Sequence, residues 1–107
     1  MKTNQAVKLE ALGDPTRRAI FEDLTRRPQA VGELAETFPI SRPAVSQHLK
    51  VLKDAGLLRV RSEGTRRIYA ADPAGIAEVR ASVERLWRDA LVALKHEAES
   101  SHEEKRR

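Results

Sequence analysis

The 107-residue chain contains no cysteine. Disulfides, thiolate metal sites and thiol catalysis are therefore excluded. Aromatic side chains are nearly as scarce, amounting to Phe21, Phe38, Tyr69 and Trp87. So little bulk in a domain of this size invites a second copy to complete the core. No apolar run approaches the roughly 20 residues that span a bilayer. The N-terminal MKTNQAVKLEAL also lacks a secretory apolar region. No membrane association and a cytoplasmic location are the expectations. There is no phosphate-binding glycine loop, and His48, His96 and His102 share no predicted surface with a Ser–Asp pair. Without such a constellation no enzyme is expected, and no cofactor. Internal repeats and linkers are missing too, so residues 1–107 read as one domain.

What is present is a surplus of positive charge, net +4, and it is confined. Residues 1–41 carry six basic and six acidic side chains. Residues 42–67 carry seven basic (Arg42, Lys50, Lys53, Arg59, Arg61, Arg66, Arg67) against Asp54 and Glu63, a net +5. Residues 68–107 carry seven basic against eight acidic. Charge concentrated in a quarter of the chain is a footprint for a polyanion.

Apolar spacing places helices over residues 4–12, 15–27 and 31–38. Gly13 ends the first, and Asp14-Pro15 opens the second with an N-cap and a first-turn proline. Arg18 and Glu22, four apart, are expected to pair on its solvated face. Val31, Leu34, Ala35 and Phe38 stripe the third, which Pro39 ends.

Ser41 then caps a fourth helix, SRPAVSQHLKVLK, terminated by Gly56. Val45, Leu49 and Leu52 share its inner face, with His48 beside them, whereas Pro43, Ser46, Gln47 and Lys50 lie outward with Arg42 at the edge. No carboxylate interrupts that outer face before Asp54. Two short helices joined by a tight turn, the second polar and basic outside, make a helix-turn-helix.

Beyond it the period falls to two. Leu58, Val60, Ile68 and Ala70 alternate with Arg59, Arg61, Arg67 and Tyr69 around a Ser62–Thr65 loop, a two-stranded wing with arginines at its tip. Asp72-Pro73 opens a last helix expected to run to about residue 97, with residues 99–107 a frayed tail. Its broad apolar stripe, including Val83, Trp87, Leu91 and Leu94, must be buried on two sides. The fold class is mainly α with a two-stranded β wing: four helices, two strands, one helix.

LGDPTRRAIFEDL, then ELAETFPISRPAVSQHLKVLKDAGLL, then the arginine-flanked hairpin ending RRIYA, resemble the ArsR/SmtB family of bacterial winged-helix repressors. The likeness covers about residues 5–95. It implies a homodimer built from the first and last helices, binding a partly palindromic operator in double-stranded DNA and repressing transcription, often of its own operon. Carried over by position, base-reading residues would lie among Ser41, Arg42, Pro43, Ser46, Gln47 and Lys50, and wing contacts would be Arg61, Arg66 and Arg67. The dimer interface would include Val7, Val83, Trp87, Leu91 and Leu94. Many members sense metals through third-helix cysteines. Here that place reads Glu33-Leu34-Ala35-Glu36-Thr37. His96 and Glu99 have a ligand-like spacing, but two ligands fall short of the four that zinc takes. No metal site is expected, and the effector is unknown.

Bland readings stand beside these. Ser41 can be a cap alone, Gln47 an ordinary exposed glutamine, Lys50 a phosphate clamp, and Trp87 part of its own chain's core. Gln47 matches adenine N6 and N7, and Arg42 matches guanine O6 and N7. The alternative function is a winged-helix protein-interaction module, which the +5 segment disfavours because protein-binding cores are depleted in charge.

Overall fold

The structure, a computed structural model, describes residues 4–106 and the side chains of residues 4–101. Along the described chain run α1 (Asn4–Ala11), α2 (Pro15–Arg26), β1 (Gln29–Ala30), α3 (Val31–Thr37), α4 (Arg42–Asp54), β2 (Leu58–Glu63), β3 (Arg66–Ala71) and α5 (Pro73–Arg106). No helix among these is long and apolar enough to cross a membrane.

Helix starts follow cap chemistry. The Asp14 carboxylate accepts the Arg17 backbone N–H at 2.8 Å, with Pro15 in the first turn. That bond, helped by the Arg17 charge and opposed by partial burial, holds the Asp14 carboxyl below its usual range. The Ser41 hydroxyl accepts the Ala44 N–H at 3.2 Å, and the Asp72 carboxylate accepts the Ala74 N–H at 3.0 Å. At the far end of α4, Gly56 N–H reaches Lys53 O and Leu57 N–H reaches Leu52 O, with Gly56 at φ 82°. This pair of bonds closes a Schellman motif, which needs a left-handed residue that glycine adopts at little cost.

The core lies where α2, α3 and α4 meet the sheet. Ile20, Leu34, Val45, Leu49, Leu52 and Leu57 are fully buried there. Each such side chain contributes about 1.5–3 kcal/mol by leaving water.

Two features tie α5 to this core. Gly75 passes over the Gly56 turn so closely that a Cβ would sit 2.3 Å from the Gly56 carbonyl oxygen. Buried Lys8 on α1 pairs with Glu78 on α5 at 2.9 Å, its ammonium beside the C-terminal end of α4. A cation there also suits the helix dipole.

The structure corrects five expectations. First, the sheet has three antiparallel strands in the order β1-β3-β2 rather than two. Gln29 and Ala30 pair with Tyr69 and Ile68; a two-residue strand is too short to show alternation.

Second, the hairpin phase differs on β3. Val60 faces Tyr69 and Arg61 faces Ile68, so Tyr69 joins Leu58 and Val60 on the face of the main core, and Ile68, also buried, lies with Ala70 on the other. Reading each strand alone could not link their phases; cross-strand register does.

Third, the loop is tighter than Ser62–Thr65. Glu63 pairs with Arg66, leaving Gly64 and Thr65 as a two-residue turn, with Gly64 at φ 61°. With no other positive φ there, the geometry is type II′.

Fourth, no Arg18–Glu22 pair forms among the described residues. Arg17 instead donates its Nε–H to the Ala11 carbonyl at the end of α1.

Fifth, α5 continues to Arg106 rather than stopping near 97. Residues 98–106 lack apolar periodicity, but they hold no glycine or proline, and alanine, glutamate, lysine and arginine sustain a helix.

Candidate nucleic-acid interface

The α3–α4 turn is closed locally. Phe38 N–H bonds to Leu34 O and Ile40 N–H to Phe38 O, bringing the chain round to the Ser41 cap. With Val45, Leu49 and Leu52 buried, the rest of the α4 surface is fixed by helical spacing. Arg42, Ser46, Lys50 and Lys53, at i, i+4, i+8 and i+11, form one strip along α4. They line a groove of about 860 Å³ whose other walls are Gly32, Glu33 and Glu36 of α3 and Thr65, Arg66 and Arg67 of the wing. Pro43 and Gln47 are exposed on the neighbouring strip. Thus Ser41, Arg42, Pro43, Ser46, Gln47 and Lys50 are all exposed at the start and outer side of α4, and Arg42, Ser46 and Lys50 share the groove with the wing.

The cations here fall into two groups. Lys50 Nζ pairs with Asp54 at 3.0 Å, Arg61 with Glu63 at 3.1 Å, and Arg66 with Glu33 at 2.8 Å. Arg42, Lys53 and Arg67 have no carboxylate partner among the described residues. The Arg42 guanidinium lies back along α3, where a Cβ at Gly32 would meet its Nη2 at 3.1 Å. Arg67 stands 6.0 Å over the Tyr69 ring, within cation–π range. Arg59 pairs with Asp72 at the base of the hairpin.

Glu33 is the hub of the paired group. One of its oxygens accepts the Ala30 backbone N–H at 3.3 Å and the Arg66 guanidinium at 2.8 Å. The other meets Arg27 at 3.4 Å. The backbone bond first, then Arg66, holds its carboxyl below the usual glutamate range, against some desolvation.

The interface candidates divide. Val7 and Val83 are half-buried within the chain, whereas Trp87, Leu91 and Leu94 are 59–64% exposed. The chain's own core therefore does not claim Trp87. His48 is half-buried, and its Nδ1 has no hydrogen-bond partner among the described residues. His96 and Glu99 are exposed on α5, and the side chain of His102 lies outside the described residues. No group of three or more histidine, aspartate or glutamate side chains able to hold a metal ion occurs among the described residues.

Lys53, Glu33 and Gly32 were not among the candidates, although each shapes this surface. Only Lys53 carried a signal in the sequence, eleven residues after Arg42 in the basic segment. The other two act through contacts between separate elements.

Known proteins match this architecture. A model described as a helix-turn-helix domain matches residues 12–61. The HTH-type transcriptional regulator Rv2034 of Mycobacterium tuberculosis is 58% identical over 82 residues, 77% of each chain. The solved structure of an ArsR-like transcriptional regulator from Rhodococcus sp. RHA1 superposes with a TM-score of 0.73. It is 32% identical, with 87% of this chain and 91% of that one covered. The homodimeric winged helix-turn-helix DNA-binding domain of Mb0332 from Mycobacterium bovis, a possible ArsR-family transcriptional regulator, gives a TM-score of 0.66. It is 28% identical, with 80% of each chain covered. With the winged helix-turn-helix complete and the likeness covering 77–87% of the chain in the Rv2034 and Rhodococcus comparisons, the chain belongs to the ArsR/SmtB family of helix-turn-helix transcriptional regulators.

Proposed function

We propose that two copies of this chain associate through α1 and α5 and bind a partly palindromic operator in double-stranded DNA, repressing the genes beside it. The observation that carries this reading is the exposed polar and basic side of α4 set against an arginine-bearing hairpin. A helix of this kind fits the major groove, and two of them about 34 Å apart would enter successive grooves on one side of the duplex. Gln47 is free of intrachain partners among the described residues and has the amide geometry to pair with adenine N6 and N7. Ser41 already spends one acceptor on its cap, so its remaining capacity suits a phosphate. The exposed stripe around Trp87 is the surface that association would cover. The homodimeric Mb0332 domain supports this assembly.

The test is duplex binding across ionic strength. Neutralising six to ten phosphates per dimer would cost about 10³–10⁵ in affinity between roughly 50 and 200 mM salt. A steep slope on random duplex, and tighter binding to a site selected from random DNA, is the expected outcome. Flat, weak binding by the folded protein would reject the reading and favour a protein-interaction module.

A further inference from the structure

Resting on the DNA-binding reading above, we propose that one DNA strand's phosphates are held in the α3–α4–wing groove by Arg42, Lys53 and Arg67. Arg66 is withheld from them by Glu33, a positioning residue that ties the wing to α3.

Lys53 continues the strip of Arg42, Ser46 and Lys50 towards the wing, and all four line the same groove as Arg67. Successive residues of β3 alternate faces. Arg67, opposite Ser62, therefore shares the face of Val60 and Tyr69, the side on which the core helices lie. Arg66 leaves the strand on the opposite face, but its guanidinium is drawn back to α3 by Glu33 at 2.8 Å, so it too lines the groove, already paired.

The charge balance assigns different tasks to the two arginines. A phosphate that recruits Arg67 displaces only water and a weak contact with an aromatic face. One that recruits Arg66 must first break a charge-assisted hydrogen bond, which is roughly twice as strong as a neutral one. Glu33 is itself held by the Ala30 N–H and flanked by Arg27, so it cannot follow Arg66 towards the DNA. The Arg66–Glu33 pair thus adds a side-chain tie between wing and α3 to the backbone pairing of β1 with β3. Gly32 contributes on the opposite wall, because its missing Cβ leaves room for the Arg42 guanidinium.

The experiment is a fluorescence-anisotropy titration of the full chain on labelled random duplex over a salt series, with far-ultraviolet circular dichroism as the folding control. Lys53→Ala and Arg67→Ala should each flatten the slope of log affinity against log salt by about one unit per bound protomer. Arg66→Ala should leave the slope unchanged. Glu33→Gln should steepen it by freeing Arg66, and Glu33→Gln with Arg66→Ala should return it to the parental value. If Arg66→Ala flattens the slope as much as Arg67→Ala, or Lys53→Ala leaves it alone, the assignment is overturned while DNA binding stands. A parental protein without any salt slope would overturn both.

Discussion

Replacing Trp87 and Leu91 by alanine should separate the proposed association from folding. Trp87 is 64% exposed in the single chain and Leu91 59%. A buried large aromatic covers about 150–250 Å², so roughly 100–160 Å² of Trp87 remains for a partner. At about 25 cal/mol per Å² that surface is worth about 2.5–4 kcal/mol, and the exposed part of Leu91 about 1–2 kcal/mol. A two-fold interface counts each residue twice, so the ceiling is about 7–12 kcal/mol per dimer. Partial burial and side-chain ordering reduce this. A loss of at least about 4 kcal/mol is expected, raising the dimer dissociation constant about a thousandfold or more. The isolated chain should hardly notice. These side chains already face water in it, and alanine is a better helix former, so its stability should move by no more than about 0.5 kcal/mol. Sedimentation velocity over a dilution series, with circular dichroism in parallel, checks both halves. An undiminished dimer would refute the interface. A chain that unfolds instead would show that α5 packs on its own domain more than its exposure indicates.

Gln47→Ala should relax base preference at one operator position by about 1–3 kcal/mol, read from a titration against single-site variants; unchanged selectivity would remove Gln47 from the reading set. Gly75→Ala forces a Cβ onto the Gly56 carbonyl at 2.3 Å, a backbone clash that only a shift of α5 relieves. A cost of about 1–3 kcal/mol is expected, measured as a lowered urea midpoint. The acid limb of stability should depend on Asp14 and Glu33. Both carboxyls are held below their usual range in the folded chain, so the unfolded state takes up protons first as pH falls. Their stabilisation is complete above the ordinary carboxylate range and is lost as pH drops through the folded values. Asp14→Asn with Glu33→Gln should therefore show a shallower decline of melting temperature below that range; an unchanged limb would discount both.

Helix positions were legible because their causes are local. Asp14, Ser41 and Asp72 accept the N–H groups of their own first turns, and Gly56 ends α4 within two residues of the last helical one. The buried face of α4 follows from 3.6-residue spacing alone, and with it the exposed side bearing Gln47. The basic segment was equally plain, since charge is written in the residues themselves.

The pairing of that charge was not. Whether Arg66 is free depends on Glu33, thirty-three residues earlier and brought near by the sheet. β1 was invisible because two residues hold no period, and β3 took the wrong phase because alternation fixes faces only relative to a partner strand. The need for glycine at position 75 arises only from the Gly56 turn packed beneath it. Contacts close in sequence are encoded by the residues that make them. Contacts between distant segments depend on a register and a packing distance that no single segment contains, and here those decide which cations remain available to a polyanion.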